Sequence, residues 1–400
     1  MARLGCRRGR VAASPARRGA GDGRRHRARP GRRALLQERP GPGVLDAAGS
    51  FLGRIAGFVQ QLMAEGVSAA IINWNGGELV LKCARTIVEQ SLPPSELIII
   101  DNGSTDGSLD RLRAEHPRAK VTANPRNLGF ARAANQAVAN ATGRWLLLAN
   151  LDIELEPTYI ARLVAAGDKD PRIGSVTGKL LRPAGGSAAI VDSTGHVLFR
   201  NGWAGNRGEN LPDSGQWERP EEVFGVTAAA ALYRMSMLAE VCQGSARPFD
   251  ERFFAYIEDV DLDWRARWLG WKAWYEPAVA WHHRSATKAR RSAFILRHIL
   301  KNRLLLVANN DLWPQGLLRL PGVAAFTILA ATQFGLEAPS SLLGLIDFVR
   351  LLPSSGARRR FVKSKRKVPA DSIASWMQPY PYLKQITRRF GSGTTRSAAV

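Results

Sequence analysis

Trp145-Leu-Leu-Leu-Ala-Asn-Leu-Asp152 is a run of five apolar residues that stops abruptly at polar ones. A strand buried on both faces reads as a continuous apolar run, the habit of parallel sheets covered by helices. The polar stop then marks the carboxyl end of the strand, outside which α/β sheets bind their ligands. Asn150, Asp152, Glu154 and Glu156 gather there. Two readings fit them. Hard oxygen ligands suit Mg2+ or Mn2+, which take one or two carboxylates and complete their shells with water and substrate phosphates. A plain strand-to-helix turn with acidic capping before Pro157 fits as well.

Upstream, short apolar runs alternate with helical stretches, which predicts an α/β sheet with crossover helices. Val67 to Trp74 reads as the first strand. Leu79, Val80, Cys83 and Ile87 recur at helical spacing, predicting a helix over Glu78 to Gln90 that stops before Pro93 and Pro94. Leu97 to Ile100 is a second strand. The turn Asp101-Asn-Gly-Ser-Thr-Asp106 leads into a helix through Ser, Thr and Asp caps. Lys120 to Ala123 is a short third strand, Gly129 to Ala141 an Ala-rich helix, and Arg144 to Ala149 the fourth strand.

Downstream, Ile173 to Tyr233 is irregular and Gly-rich, so short strands and loops that shape an acceptor cleft are expected there. Phe253 to Leu269 contains Glu258-Asp-Val-Asp-Leu-Asp263 and runs into an Arg- and Trp-bearing helix ended by Gly270. Lys272 to Tyr275 and Ala278 to Trp281 read as closing strands around Pro277.

Three strand ends should converge on one edge: Asn73-Trp-Asn75, Asp101-Asn102 and Asn150-Leu-Asp152. Asp101 either caps the next helix or hydrogen-bonds a base or ribose, and the polar turn after it suits a nucleoside. In Asn124-Pro-Arg-Asn-Leu-Gly-Phe130, Arg126, Asn127 and Gly129 precede a helix, whose N–H groups with Arg126 suit a phosphate; a bland turn fits too. Four acids in six residues at Glu258 to Asp263 raise at least one pKa unless cations intervene, and a raised carboxylate is a competent base near neutral pH. Asp259 is the preferred base, with Glu258 and Asp261 supporting. The competing reading is a solvated helix N-terminus whose acids complement the dipole. His282 follows an apolar strand and suits a metal shell or a diphosphate.

The net charge of +23 implies an anionic partner such as lipid headgroups, nucleic acid or a phosphorylated substrate. Residues 1–62 carry 14 Arg against Asp22, Glu38 and Asp46, with almost no periodic apolar pattern, and are expected to be disordered. A start of translation at Met63, a transit peptide and a nucleic-acid arm all fit this segment, the last least well. The three cysteines, Cys6, Cys83 and Cys242, are too few and scattered for a disulfide framework or zinc site, which fits a reducing cytoplasm.

Residues 286–400 are rich in Leu, Arg and Lys and are expected to be helical and membrane-associated. Leu320 to Leu336 is apolar over 17 residues but contains Pro321, Gly322 and Gln333, which favours an interfacial or re-entrant helix over a spanning one. Arg358 to Lys367 is a basic run that attracts anionic lipid.

With these motifs in order, the chain resembles glycosyltransferase family 2, and within it the rhamnosyltransferase-like enzymes of bacterial surface polysaccharides. The matching text is Ile71 to Asn75, Ile98 to Ser108, Asn124 to Asn135, Trp145 to Asp152, and Phe253 to Arg265 with Trp281-His282. The resemblance implies a GT-A fold over residues 63–285, a Rossmann-like mixed sheet with flanking helices. It further implies a nucleotide-diphosphate sugar donor, a lipid-linked or glycan acceptor, Mg2+ or Mn2+, an inverting single displacement, and work at the inner face of the cytoplasmic membrane. By position, Asp101 would bind the nucleoside, Asp152 the metal, Asp259 would be the base, and His282 would lie at the metal or diphosphate. The family often has Asp-x-Asp where this chain has Asn150-Leu-Asp152, so Asn150 brings an oxygen but no charge. The alternative is a non-catalytic nucleotide-sugar-binding or scaffold protein of the same fold.

Overall fold

The computed structural model describes residues 66–183, 189–242, 247–284, 292–312 and 315–381. Expectations for residues 1–62, Met63 and Cys6 lie outside them. The first half alternates strand and helix: β1 (Val67–Asn73), α1 (Gly77–Val88), β2 (Glu96–Asp101), α2 (Ser108–Glu115), β3 (Lys120–Ala123), α3 (Phe130–Asn140) and β4 (Trp145–Asn150). These strands pair in parallel, in the order β4-β1-β2-β3. Register puts Asn73 opposite Asp101 and Ile72 opposite Asn150, so the three polar strand ends share one edge. Because β2 and β4 flank β1 on opposite sides, the chain reverses direction of travel here, the switch point where such sheets hold nucleotides.

Beyond β4 the sheet becomes mixed. The next elements are β5 (Ile153–Leu155), α4 (Tyr159–Gly167), β6 (Ile173–Arg182), β7 (Ile190–Ser193), β8 (His196–Phe199), β9 (Ala204–Asn206), β10 (Glu221–Val223), β11 (Ala230–Arg234), α5 (Met235–Val241), α6 (Glu258–Trp268) and β12 (Lys272–His282). The main sheet runs β10-β12-β6-β11-β4-β1-β2-β3, with β5 on β12 and β7 on β6. Strand β11 is antiparallel to both β4 and β6. This is the mixed α/β sheet of the GT-A class.

Strand β4 is covered on both faces, as its unbroken apolar run requires. Leu147 and Ala149 pack with α1 and α4 residues such as Val80, Leu81, Ile160 and Leu163. Leu146 and Leu148 join Ala131 and Ala134 of α3, Leu238 of α5 and Leu262 of α6. Each buried leucine contributes about 1.5–3 kcal/mol relative to exposure, so the strand's position is strongly fixed.

Three local expectations need correction. Ile173 to Arg182 is one ten-residue strand deep in the sheet, not a loop-rich segment, because burial on both faces removes the alternation that would mark it. The two closing strands are one, β12, with a register shift between Tyr275 and Val279 that absorbs Pro277. Helix α2 begins at Gly107 rather than at a Ser or Thr cap, with Asp106 Oδ1 accepting from the Ser108 N–H at 3.1 Å.

The C-terminal elements are α7 (Ala293–Asn310), α8 (Gln315–Glu337), α9 (Leu343–Leu351), α10 (Ser355–Lys365), α11 (Asp371–Ala374) and β13 (Met377–Gln378). They share a core with the sheet domain. Leu305, Leu306, Leu312, Val362, Ile373 and Met377 pack with Leu198, Phe224, Phe253, Val260, Trp264 and Trp268. Strand β13 also joins β8 and β9 in a small second sheet.

Candidate active site

At the edge formed by β1 and β2, Asp101 is buried and organises its own turn. Its Oδ1 accepts from Asn73 Nδ2 at 2.8 Å and Ser104 Oγ at 2.6 Å, and its Oδ2 from the N–H groups of Gly103 and Ser104. Asn73, expected at the donor, is wholly buried behind this turn, with its amide also reaching Ser104 and Ser108. Asn75 sits at φ 53° and accepts from the Thr105 N–H, so β1 and the turn are stitched together. Trp74 between them is 52% exposed, leaving an aromatic face open at the edge. A single Trp beyond a strand end carries no periodic signal in the sequence.

The Asn124 to Phe130 loop packs onto the same turn. Asn102 accepts from Asn124 Nδ2 at 2.9 Å and donates to the Gly129 carbonyl at 3.3 Å. Asn127 Oδ1 takes the Gly129 N–H, and Arg126 is exposed. Gly129 has φ +88° and its missing Cβ would lie 2.6 Å from the Phe254 carbonyl, so only glycine lets this loop reach the segment that carries Asp259.

At the end of β4, Asn150 donates its N–H to the Ala229 carbonyl. Asp152 is buried, and its Oδ1 lies 3.3 Å from His282 Nε2. His282 Nδ1 is held at 2.8 Å by Asp192 Oδ2, and Asp192 is itself flanked by Arg182 and Arg284. Burial disfavours charge on the ring, but the hydrogen bonds to Asp152 and Asp192 prevail and raise its pKa to about 9. With the ring proton displaced, the arrangement would fit a small divalent cation. Neighbouring ligand atoms of an octahedral ion at about 2.1 Å stand about 3 Å apart, close to the Asp152–His282 spacing, and a carboxylate orients the other ring nitrogen as in many metal sites. Among the described residues no group of three or more His, Cys, Asp or Glu is gathered to hold a metal ion. The pair would therefore depend on substrate and water oxygens, which Mg2+ and Mn2+ sites accept. Asp192 escaped the sequence reading because it is 90 residues from its partner.

Helix α6 brings the third group. Every residue of it except Asp259 is buried. Asp259 Oδ2 accepts the Ala228 N–H at 3.1 Å, one residue from the Ala229 that binds Asn150, so this partly exposed carboxylate stands beside the end of β4. Glu258 is buried, its Oε2 has no hydrogen-bond partner among the described residues, and burial next to Asp259 pushes its pKa well up. Asp261 does not join them. It is wholly buried on the opposite side of the helix, bound to Arg265 at 2.9 Å and to Asn310 at 2.7 Å, because residues two apart on a helix face different ways. Its supporting role is thus to anchor α7.

The loop into α6 is strained: Phe254, Tyr256 and Ile257 have φ of 67°, 72° and 71°, each costing on the order of 1–3 kcal/mol for a side-chain-bearing residue. Asn302 of α7 offsets this by directing its amide at the carbonyls of Phe253, Ala255 and Tyr256, and Lys301 binds that of Arg252 at 2.7 Å. Burial lowers the Lys301 pKa to about 8.

The strand ends at the switch point, the Asp152–His282 pair and the partly exposed Asp259 thus gather at one end of the sheet. Residues 68–241 match the family described as Glycosyl transferase family 2. The chain is 29% identical over 242 residues to the N-acetylglucosaminyl-diphospho-decaprenol L-rhamnosyltransferase of Mycobacterium tuberculosis, covering 54% of this chain and 75% of that protein. It is 28% identical over 229 residues to the O-antigen biosynthesis protein RfbC of Myxococcus xanthus, covering 51% of this chain and 16% of that protein. A crystal structure of GalNAc-T7 with UDP, GalNAc and Mn2+ shares the fold at a TM-score of 0.50 and 16% identity, over 72% of this chain and 57% of that one.

Proposed function

We propose that this protein is an inverting glycosyltransferase that moves a sugar, rhamnose in the reading favoured here, from a nucleotide diphosphate to a hydroxyl of a lipid-linked or glycan acceptor during cell-envelope glycan synthesis. The observation that carries the reading is the juxtaposition, through Ala228 and Ala229, of partly exposed Asp259 with the strand end that bears Asp152. The relatives named above, one acting on a decaprenyl diphosphate sugar by its name, support a lipid-linked acceptor.

In this scheme the turn Asp101 to Asp106 takes the nucleoside and Arg126 the phosphates. Asp152 and His282 would hold Mg2+ or Mn2+, which when bound would neutralise charge on the leaving diphosphate. Asp259 takes the proton from the acceptor hydroxyl. That oxygen forms the new bond to the anomeric carbon from the face opposite the diphosphate, which leaves with the electron pair of the bond that breaks. The configuration inverts because attack and departure are on opposite faces. Burial beside Asp259 raises the Glu258 pKa, which disfavours a second negative charge next to the base.

The surface of α8 and α9 supports work at a membrane. Leu318, Ile328, Leu336 and Val349 are 85%, 69%, 83% and 64% exposed, large apolar side chains left open on these two helices. One helix, Gly316–Glu337, is long and apolar enough to cross a bilayer, but Pro321 and the packing of α7 against α8 and α9 favour a helix lying in the interface. Exposed Arg360, Lys363 and Lys365 of α10 would meet anionic headgroups.

The test is transfer from dTDP-rhamnose, UDP-glucose or GDP-mannose to a polyprenyl-diphosphate-linked N-acetylglucosamine with Mn2+ or Mg2+. Acceptor-dependent product from one donor is expected. Donor binding with no transfer from any of them would assign a non-catalytic nucleotide-sugar-binding protein instead.

A further inference from the structure

Behind Asp259 lies a buried histidine that the scheme above leaves unused. His196 opens β8, is 5% exposed, and points its ring at α6. Its Nδ1 lies 2.7 Å from Asp263 Oδ2 and its Nε2 lies 3.5 Å from Asp259 Oδ2. Asp259 and Asp263 are four residues apart and so share one helix face, and the ring bridges them. We infer that His196 and Asp263 are a positioning pair for Asp259, an inference that rests on Asp259 being the base of the proposed transfer.

The surroundings are built for this contact. Asp263 Oδ2 also accepts the Val226 N–H at 3.0 Å. Gly225 leaves room for it: a Cβ there would lie 1.9 Å from that oxygen. The His196 N–H donates to the Gly225 carbonyl, so strand, glycine and carboxylate lock the ring in place. On the other side, Asp259 Oδ2 is held between the ring and the Ala228 N–H, while Oδ1 takes the N–H of Val260, next in the chain. Two contacts on one oxygen fix the plane of the carboxylate and leave Oδ1 as the lobe that meets the acceptor proton.

Charge supports the same role. Burial disfavours protonation of His196, but the two facing carboxylates prevail and raise its pKa, which favours a protonated ring facing them. The other ionisable groups that act on these carboxylates are Glu258 and Arg267 of α6 and Tyr233 of β11. The strands paired with β8, Ala204–Asn206 and Met377–Gln378, bring no titratable side chain. The contacts of the pair are to Asp259, Gly225 and Val226, on the side of the base, so its removal should spare the donor.

The experiment measures acceptor-dependent kcat, donor KM and the pH profile of kcat for full-length wild type, His196→Gln and Asp259→Asn, using the donor that supports wild-type transfer. His196→Gln should lower kcat about 10- to 100-fold, as loss of an orienting partner does, with donor KM unchanged within about twofold. Its acidic limb should move, since the ring that faces the base is gone. Transfer at the wild-type rate, or a lower rate with an unmoved acidic limb, overturns the inference and leaves the base reading intact when Asp259→Asn is inactive. Asp259→Asn that still transfers overturns both. Should His196→Gln fail to fold, Asp263→Asn is read the same way.

Discussion

The donor half of the molecule, β1 to Asp152, and the base half, β6 to α7, are built on different principles. In the donor half each functional group sits at the end of its own strand, and its partners are a few residues on or in the neighbouring strand: Asp101 is held by Gly103, Ser104 and Asn73. In the base half almost every decisive contact is long-range. Asp259 is tied to Ala228, 31 residues away, His196 to Asp263 across 67, and the loop before α6 to Asn302 across 46 to 49. A crevice for a nucleotide can be made from repeated βα units, whereas a base aimed at a second substrate needs a frame assembled from distant parts of the chain.

If that contrast is right, lesions in the two halves should separate. Asp152→Ala should abolish transfer and also remove Mn2+-dependent donor binding, read by calorimetry with the nucleotide sugar. Near-normal activity in that variant would break the donor half of the account. Asn302→Ala should act through the frame instead. It leaves the carbonyls of Ala255 and Tyr256 in a strained loop without their donor and should cost about 2–3 kcal/mol of stability with a fall in kcat and little change in donor affinity. A donor-affinity loss as large as the kcat loss would mean that the loop serves both substrates.

The seam between the base half and the C-terminal helices can be sharpened by pH. Asp250 is buried, and the ion pairs and hydrogen bonds it makes with Arg252 and Arg358 outweigh its burial to hold its pKa at about 2, below the ordinary 3.8. A folded-state pKa depressed in this way contributes stability that is present above about pH 4 and lost as pH falls through 2. Wild type should therefore show a steeper fall in unfolding temperature below pH 4 than Asp250→Asn, and parallel curves would remove Asp250 from the seam. The smallest effect expected is on the exposed apolar face: Leu318→Glu with Leu336→Glu should weaken sedimentation with anionic vesicles while leaving transfer to a soluble acceptor analogue unchanged. Undiminished vesicle binding would move the membrane contact elsewhere.

The same contrast explains what could be read from the sequence. β1 to β4, with the convergence of Asn73, Asp101 and Asn150 on one edge, were legible because strand ends and turns are local features with their own residue chemistry. Asp152 and His282 were singled out at the ends of apolar runs and Asp259 from four acids in six residues, and the structure sets Asp152 beside His282 and Asp259 beside the end of β4. Asp261 was assigned to the site from its neighbours in sequence, and helix geometry sends it to α7 instead. Asp192, His196 and Asn302 had no signal, because each acts on a residue tens of positions away. The i, i+4 spacing of Asp259 and Asp263 was the one clue in the chain that a shared partner stood on that face. β6 was missed because a strand buried on both faces, Gly174 and Gly178 included, shows neither alternation nor a clean apolar run.

The central claim is that the partly exposed carboxylate of α6 is the base and is separable from the donor site. Donor affinity by calorimetry and acceptor-dependent transfer, measured side by side on Asp259→Asn, test it most directly. The account predicts wild-type donor affinity with transfer reduced about 10²- to 10⁴-fold, the usual contribution of a general base. Transfer within a few-fold of wild type, with the protein folded, would contradict it.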